Sequence, residues 1–185
     1  MPEIRVEFRR ANSWLSRRIE WFGGGPRLSH CASLLADGRY LDARDNVIDG
    51  VPAGVQIRHP NTEPGIAVYR ATLPVTQTEY SDWESNLCAK ITDGYDSDAI
   101  RGFLEGKPLL HKAGHYMCAA LTINSVQHVS RSWTSAAFVV NAMQRVGRIP
   151  FPLPVAAHQI TPNAALLILA TAGFKIEDLP ITGEM

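Results

Sequence analysis

The residues best suited to chemistry are an imidazole and a carboxylate that flank a turn, and a thiol far downstream. His30 follows Ser29, and Asp42 lies beyond the Asp37-Gly38 dipeptide. Asp-Gly between apolar runs is a two-residue hairpin signal. Strands over Ser29–Ala36 and Arg39–Arg44 would therefore run antiparallel, with His30 and Asp42 near the open end. Neighbouring or diagonal positions on paired strands are close enough for a carboxylate to meet a ring nitrogen. Such a carboxylate would fix the tautomer of the ring and favour its protonated form. The plainer alternative is that Asp42 pairs with Arg44 or Arg39 at the surface.

Cys118 follows Gly114-His115-Tyr116-Met117 and opens the apolar run Ala119-Ala120-Leu121. At a helix start, unpaired N–H groups and the positive end of the helix dipole favour a thiolate. The same N–H groups can hold the oxyanion of a tetrahedral intermediate. The competing fate of a free cysteine is to serve as a small buried hydrophobe. Cys31 neighbours His30 on a strand, points to the opposite face and belongs in the core. Cys88 falls inside a helix and is also expected in the core. His111 and His115 have the i, i+4 spacing of a metal pair but no acidic third ligand, so neither metal nor cofactor is expected. Gly23-Gly24-Gly25 follows a helix and precedes a strand, the wrong context for a phosphate loop. His59, His128 and His158 have no partner pattern and read as surface or capping residues.

The elements that must position these groups are legible from periodicity. Glu3–Arg9 alternates apolar and charged residues, the period of a half-buried strand. Asn12 and Ser13 can cap a helix over Ser13–Phe22, which the glycines and Pro26 end. After the hairpin, strands are expected at Val55–His59 and Ile66–Leu73. Thr76 or Thr78 then caps a helix running to about Ile91. Further helices are expected over Asp96–Glu105, Met117–Val129 and Thr134–Val146, the last closed by Gly147. Ile149–Val155, with three prolines, reads as extended, and Thr161-Pro162 opens a final helix. Strands first and helices later point to an α+β fold, an antiparallel sheet of N-terminal strands packed against C-terminal helices. The 185 residues suit a single domain over 1–185.

Composition narrows the partners. Apolar residues make up 45%, enough for a core, and 18 Lys+Arg balance 18 Asp+Glu. That balance argues against a nucleic-acid clamp or a polybasic membrane anchor. The candidate basic patch is N-terminal: Arg5, Arg9, Arg10, Arg17, Arg18 and Arg27. Three scattered cysteines make no disulfide framework. No apolar stretch approaches the roughly 20 residues of a transmembrane helix. No secretory signal is evident at the N-terminus, so a cytoplasmic location is the default.

Taken in order, these pieces resemble the circularly permuted papain-like hydrolases of the NlpC type, including the YiiX-like and lecithin retinol acyltransferase-like branches. The matching stretch runs from Ser29-His30-Cys31 through Asp37-Gly38 to Asp42-Ala43. Gly94-Tyr95-Asp96, His115-Tyr116-Met117-Cys118 and Ile160-Thr161-Pro162-Asn163 resemble the later segments. The resemblance implies a permuted papain-like fold with Cys118 as nucleophile, His30 as its base and Asp42 orienting the ring. It implies a peptidase or amidase acting on a peptide or acyl substrate, with cell-wall peptides first and lipid acyl transfer or thioester hydrolysis as an alternative.

Here Ala119-Ala120 follows Cys118, whereas the family usually has Ser after its Cys. A second run, Ser132-Trp133-Thr134-Ser135-Ala136-Ala137-Phe138, also resembles the nucleophile helix, with Ser135 at the Cys position. If Ser135 holds the site, the expectation becomes a degenerate papain-like scaffold used for binding or as a phage or prophage structural component. Such a protein would be virion-associated and part of a larger particle.

Overall fold

Alternation in the first strand sets the frame. The computed structural model describes residues 1–11, 17, 26–44, 50, 53–62, 65–95, 132–133, 135–148 and 161–180. Strand β1 (Glu3–Arg10) turns Ile4, Val6 and Phe8 to one face, where all three are fully buried. It pairs with β2 (His30–Leu34) on one side and with β5 (Ile66–Pro74) on the other. Outward from β2 lie β3 (Tyr40–Arg44) and β4 (Gly54–Arg58). With β8 (Lys175–Asp178) beside β5, the six-stranded sheet has the order β4-β3-β2-β1-β5-β8, every pair antiparallel.

Three helices among the described residues share one core with this face. Helix α1 (Gln77–Cys88) is capped by Thr76: the Glu79 N–H donates to Thr76 Oγ1 at 3.2 Å, and the Thr76 N–H donates to Glu79 Oε2 at 2.9 Å. This reciprocal pair satisfies two orphan helix donors. Cys88 is the last residue of the helix and only half-buried, because the helix ends there and not near Ile91. Helix α2 (Ser135–Arg145) is followed by Gly147 in the left-handed region, and α3 (Pro162–Thr171) starts from a Thr161 cap. Trp83, Leu87, Val139, Met143 and Leu169 join Ile4, Phe8, Cys31 and Leu41 in a single cluster. The fold is thus mixed α and β, an antiparallel sheet with helices on one face. Of the helix expected at Ser13–Phe22 only Arg17 is among the described residues, where it is helical; the helices expected at Asp96–Glu105 and Met117–Val129, and the segment Ile149–Val155, lie outside them.

Two features depart from expectation. Strands do not all precede helices: β8 (Lys175–Asp178) follows α3 and returns to the sheet beside β5. With Ile176 its lone apolar residue, it carries no alternation to read. Its Glu177 stands opposite Arg70, an opposite-charge pair of the kind that stabilises neighbouring strands. A short parallel pair, β6 (Gly94–Tyr95) with β7 (Ser132–Trp133), was also not expected.

The hairpin loop is longer than the Asp-Gly signal implies. Ser33 pairs with Leu41 and Leu34 with Tyr40, and the Leu35 N–H donates to Arg39 O at 2.8 Å. Three residues, Ala36-Asp37-Gly38, therefore turn the chain, with Gly38 at φ 84° in the left-handed region. This is the three-residue loop in which a left-handed residue closes a type I turn. Asp37 stiffens it by accepting from the Arg39 N–H at 2.9 Å and from Arg39 Nε at 2.6 Å.

A second glycine is more tightly constrained. Gly65, at φ 78°, sits where a Cβ would lie 2.2 Å from Arg10 O. Gly65→Ala combines left-handed strain with a backbone collision and is expected to destabilise by about 2–4 kcal/mol in urea unfolding. A loss below about 1 kcal/mol would mean that the β1–β5 approach is looser than described.

Candidate active site

Ser29 and His30 stand where β2 begins, and local bonding fixes that start. The Ser29 N–H donates to Arg9 O at 3.0 Å, and Ser29 Oγ accepts from the Ala11 N–H at 3.0 Å. The backbone just before His30 is thereby tied to β1. His30 is opposite Arg9 in register, so its side chain leaves the sheet on the face away from Phe8 and Cys31. Cys31 is fully buried in the core, as the alternation predicts.

His30 and Asp42 meet. Continuing the β2–β3 register places Ala32 opposite Asp42 and His30 opposite Arg44, which makes His30 and Asp42 a diagonal pair on one face. His30 Nε2 lies 2.8 Å from Asp42 Oδ2. The three-residue loop decides this outcome. A two-residue Asp37-Gly38 loop would slip the register by one and send Asp42 to the Cys31 face.

Asp42 is fully buried and holds more than the histidine. Arg44 Nε donates to Oδ2 at 2.6 Å, and Arg58 Nε donates to Oδ1 at 3.3 Å. Pairing with Arg44 was foreseen as a surface alternative to the histidine contact. Here both occur together, and Arg44 and Arg58 are buried beside the carboxylate. Burial opposes the ionised form of Asp42. The hydrogen bond and charge from His30, with the Arg44 and Arg58 cations, outweigh it and hold the carboxyl below its ordinary value.

The same surroundings reverse one expectation about His30. Burial and the Arg44 cation push the ring below its ordinary value of 6.5, overcoming the hydrogen bond and charge of Asp42, and Arg9 adds to the effect. The imidazole is therefore neutral at neutral pH, not held protonated as Asp42 alone would favour. An ionised carboxylate only accepts, so Nε2 carries the proton and the lone pair is on Nδ1. Among the described residues Nδ1 makes no hydrogen bond, and the side chain is 12% exposed. The ring can accept a proton at Nδ1.

These shifts fix a pH dependence. The unfolded chain protonates its histidine before the folded chain does, so stability falls as pH drops below about 6.5 toward the folded value. Asp42 acts lower: its contribution is present above about 3.8 and is lost as pH falls through its depressed folded value. Thermal unfolding should show two successive declines on acidification, and His30→Gln should erase the upper one. An unchanged profile in that variant would contradict the assignment.

A second buried carboxylate shares this face. Glu7 accepts from Arg9 Nη1 at 2.8 Å, Arg70 Nη2 at 2.6 Å and the Tyr40 hydroxyl at 2.7 Å. Arg9, foreseen as part of an N-terminal basic patch, is instead buried in this cluster, with its guanidinium 5.6 Å from the Tyr40 ring centroid. Neither Glu7 nor the arginines Arg44, Arg58 and Arg70 were expected at a site. The available signal was opposite charge at i, i+2 within a strand, as in Glu7/Arg9 and Asp42/Arg44.

The other expected site residues fall where the structure describes no side chain. Cys118, with His111 and His115, lies outside the described residues. Ser135 is the first residue of α2, and its side chain also lies outside them. Helix α2 packs against β2 and β3 on the core face, whereas His30 and Asp42 occupy the opposite face.

Among the described residues, no three His, Cys, Asp or Glu side chains are grouped to hold a metal ion, and no helix is long and apolar enough to cross a membrane. No family model, no curated protein and no solved structure matches the chain.

Proposed function

We propose that the protein is a cysteine hydrolase of the permuted papain-like type, a peptidase or amidase whose base is His30. The observation that carries this reading is the 2.8 Å contact of His30 Nε2 with buried Asp42, which leaves Nδ1 open as an acceptor. In the proposed reaction Nδ1 takes the thiol proton of Cys118 as sulfur attacks the carbonyl carbon of an amide. The C–N bond breaks, and the amine leaves with the proton from His30. Water, deprotonated by the same ring, then hydrolyses the thioester and restores the thiol. The substrate is a peptide, cell-wall peptides being the first choice, or another acyl compound in a lipid acyltransferase or thioesterase variant. The chemistry calls for no cofactor.

Cys88 is an internal reference for the test, because burial, helped by Glu84, pushes its thiol up from the ordinary value. Iodoacetamide at neutral pH should label Cys118 at least about tenfold faster than Cys88 in the native chain. Equal rates would remove the activated thiol and with it the hydrolase.

A second reading rests on Ser135, which opens the helix packed against the strands of His30 and Asp42. With Ser135 at the nucleophile position the chain would be a degenerate papain-like scaffold for binding or particle assembly. Such a chain would keep assembling after Cys118→Ala.

A further inference from the structure

An aspartate that bonds a histidine ordinarily stabilises the imidazolium, and an imidazolium cannot take a proton. Asp42 is placed differently. Its Oδ2 receives both His30 Nε2 and Arg44 Nε, while Arg58 Nε reaches Oδ1. The carboxylate is thus held at both oxygens and cannot turn or protonate without losing a guanidinium. Continuing the β2–β3 register puts Arg44 opposite His30, and both its Nε and His30 Nε2 meet the same oxygen of Asp42, so its charge acts on the ring across that shared oxygen. The charged groups facing His30 are Arg9 from β1 and Asp42 and Arg44 from β3, with Arg58 from β4 behind the carboxylate.

Resting on the reading of His30 as the base, we propose that Arg44 is a positioning residue, braced by Arg58, that keeps His30 a neutral imidazole with its proton on Nε2. Arg44 does so in two ways. Its hydrogen bond orients Oδ2 toward the ring, and its charge offsets the stabilisation that Asp42 would give an imidazolium. Asp42 then sets which nitrogen carries the proton, and Arg44 adds to burial in keeping a second proton off the ring.

The test is a multiple-bond ¹H–¹⁵N NMR titration of the full chain, with the His30 signals identified by their loss in His30→Gln. The wild type should show the Nε2–H tautomer and titrate below its ordinary value. Arg44→Gln should move the midpoint upward, Arg44→Lys should keep it low because the charge remains, and Asp42→Asn should move it further down. General loosening would instead carry every variant toward the ordinary value, so the downward shift in Asp42→Asn separates the two. A wild-type Nδ1–H tautomer, or a midpoint in Arg44→Lys as high as in Arg44→Gln, would overturn the proposal. If one Arg44 variant fails to fold the other decides: no rise of the midpoint in Arg44→Gln, or a midpoint at or above the ordinary value in Arg44→Lys, would overturn the proposal. The Nε2–H tautomer together with an unreactive Cys118 would leave the positioning role standing and end the hydrolase reading.

Discussion

Asp42→Ala is expected to cost about 3–5 kcal/mol of folding stability, because it removes one partner from a buried ionic cluster. Arg58 is 5% exposed, and Asp42 is the acceptor of its Nε. Its Nη2 is already buried without a hydrogen bond among the described residues. Without the carboxylate that guanidinium would be charged, dehydrated and unpaired, and Arg44 and His30 would each lose a contact. Asp42→Asn keeps the shape and some of the hydrogen bonding but not the charge, so it should lie between wild type and Asp42→Ala. Urea unfolding monitored by the fluorescence of buried Trp83 reads both. A loss under about 1 kcal/mol in Asp42→Ala would mean that water reaches the arginines, as in an ordinary surface pair.

The second large effect concerns reactivity. His30→Ala removes the group proposed to take the thiol proton, and a positioned base contributes about 10²–10⁴-fold. Alkylation of Cys118 at neutral pH should therefore slow by at least about 100-fold in His30→Ala, with Cys88 unchanged. The comparison within one chain matters, because a general change in folding would alter both thiols. His30→Ala also relieves the protein of a buried ring that resists protonation, so its stability near pH 5 should fall less than that of the wild type. Slower labelling of both cysteines together would point to a change of folding and not to loss of a base.

Much of the fold could be read from residue types. The alternation of Ile4, Val6 and Phe8 marks a strand with one buried face, and the Thr76–Glu79 and Thr161-Pro162 pairs mark two helix starts. What periodicity could not give was loop parity. Asp37-Gly38 fits a two-residue loop and also the end of a three-residue one, and only the latter brings Asp42 to the His30 face. Nor could it show that the charged face is covered. Charges at every second position ordinarily mark a solvated sheet surface. Here Glu7, Asp42, Arg44 and Arg58 are buried, and each carboxylate is shared among several donors. Strand β8 escaped because its pairing depends on cross-strand charge, with Glu177 opposite Arg70, and not on an apolar pattern.

The His30–Asp42 contact acquires a catalytic meaning only if a nucleophile faces the other ring nitrogen. The most direct measurement is the separation of Cys118 Sγ from His30 Nδ1 in a crystal structure of the unliganded protein. A separation of about 3–4 Å is expected, in an opening that admits a peptide, with Asp42 on the far side of the ring. Cys118 buried away from His30, with Ser135 Oγ facing Nδ1 in its place, would contradict it and leave a scaffold without a thiol nucleophile.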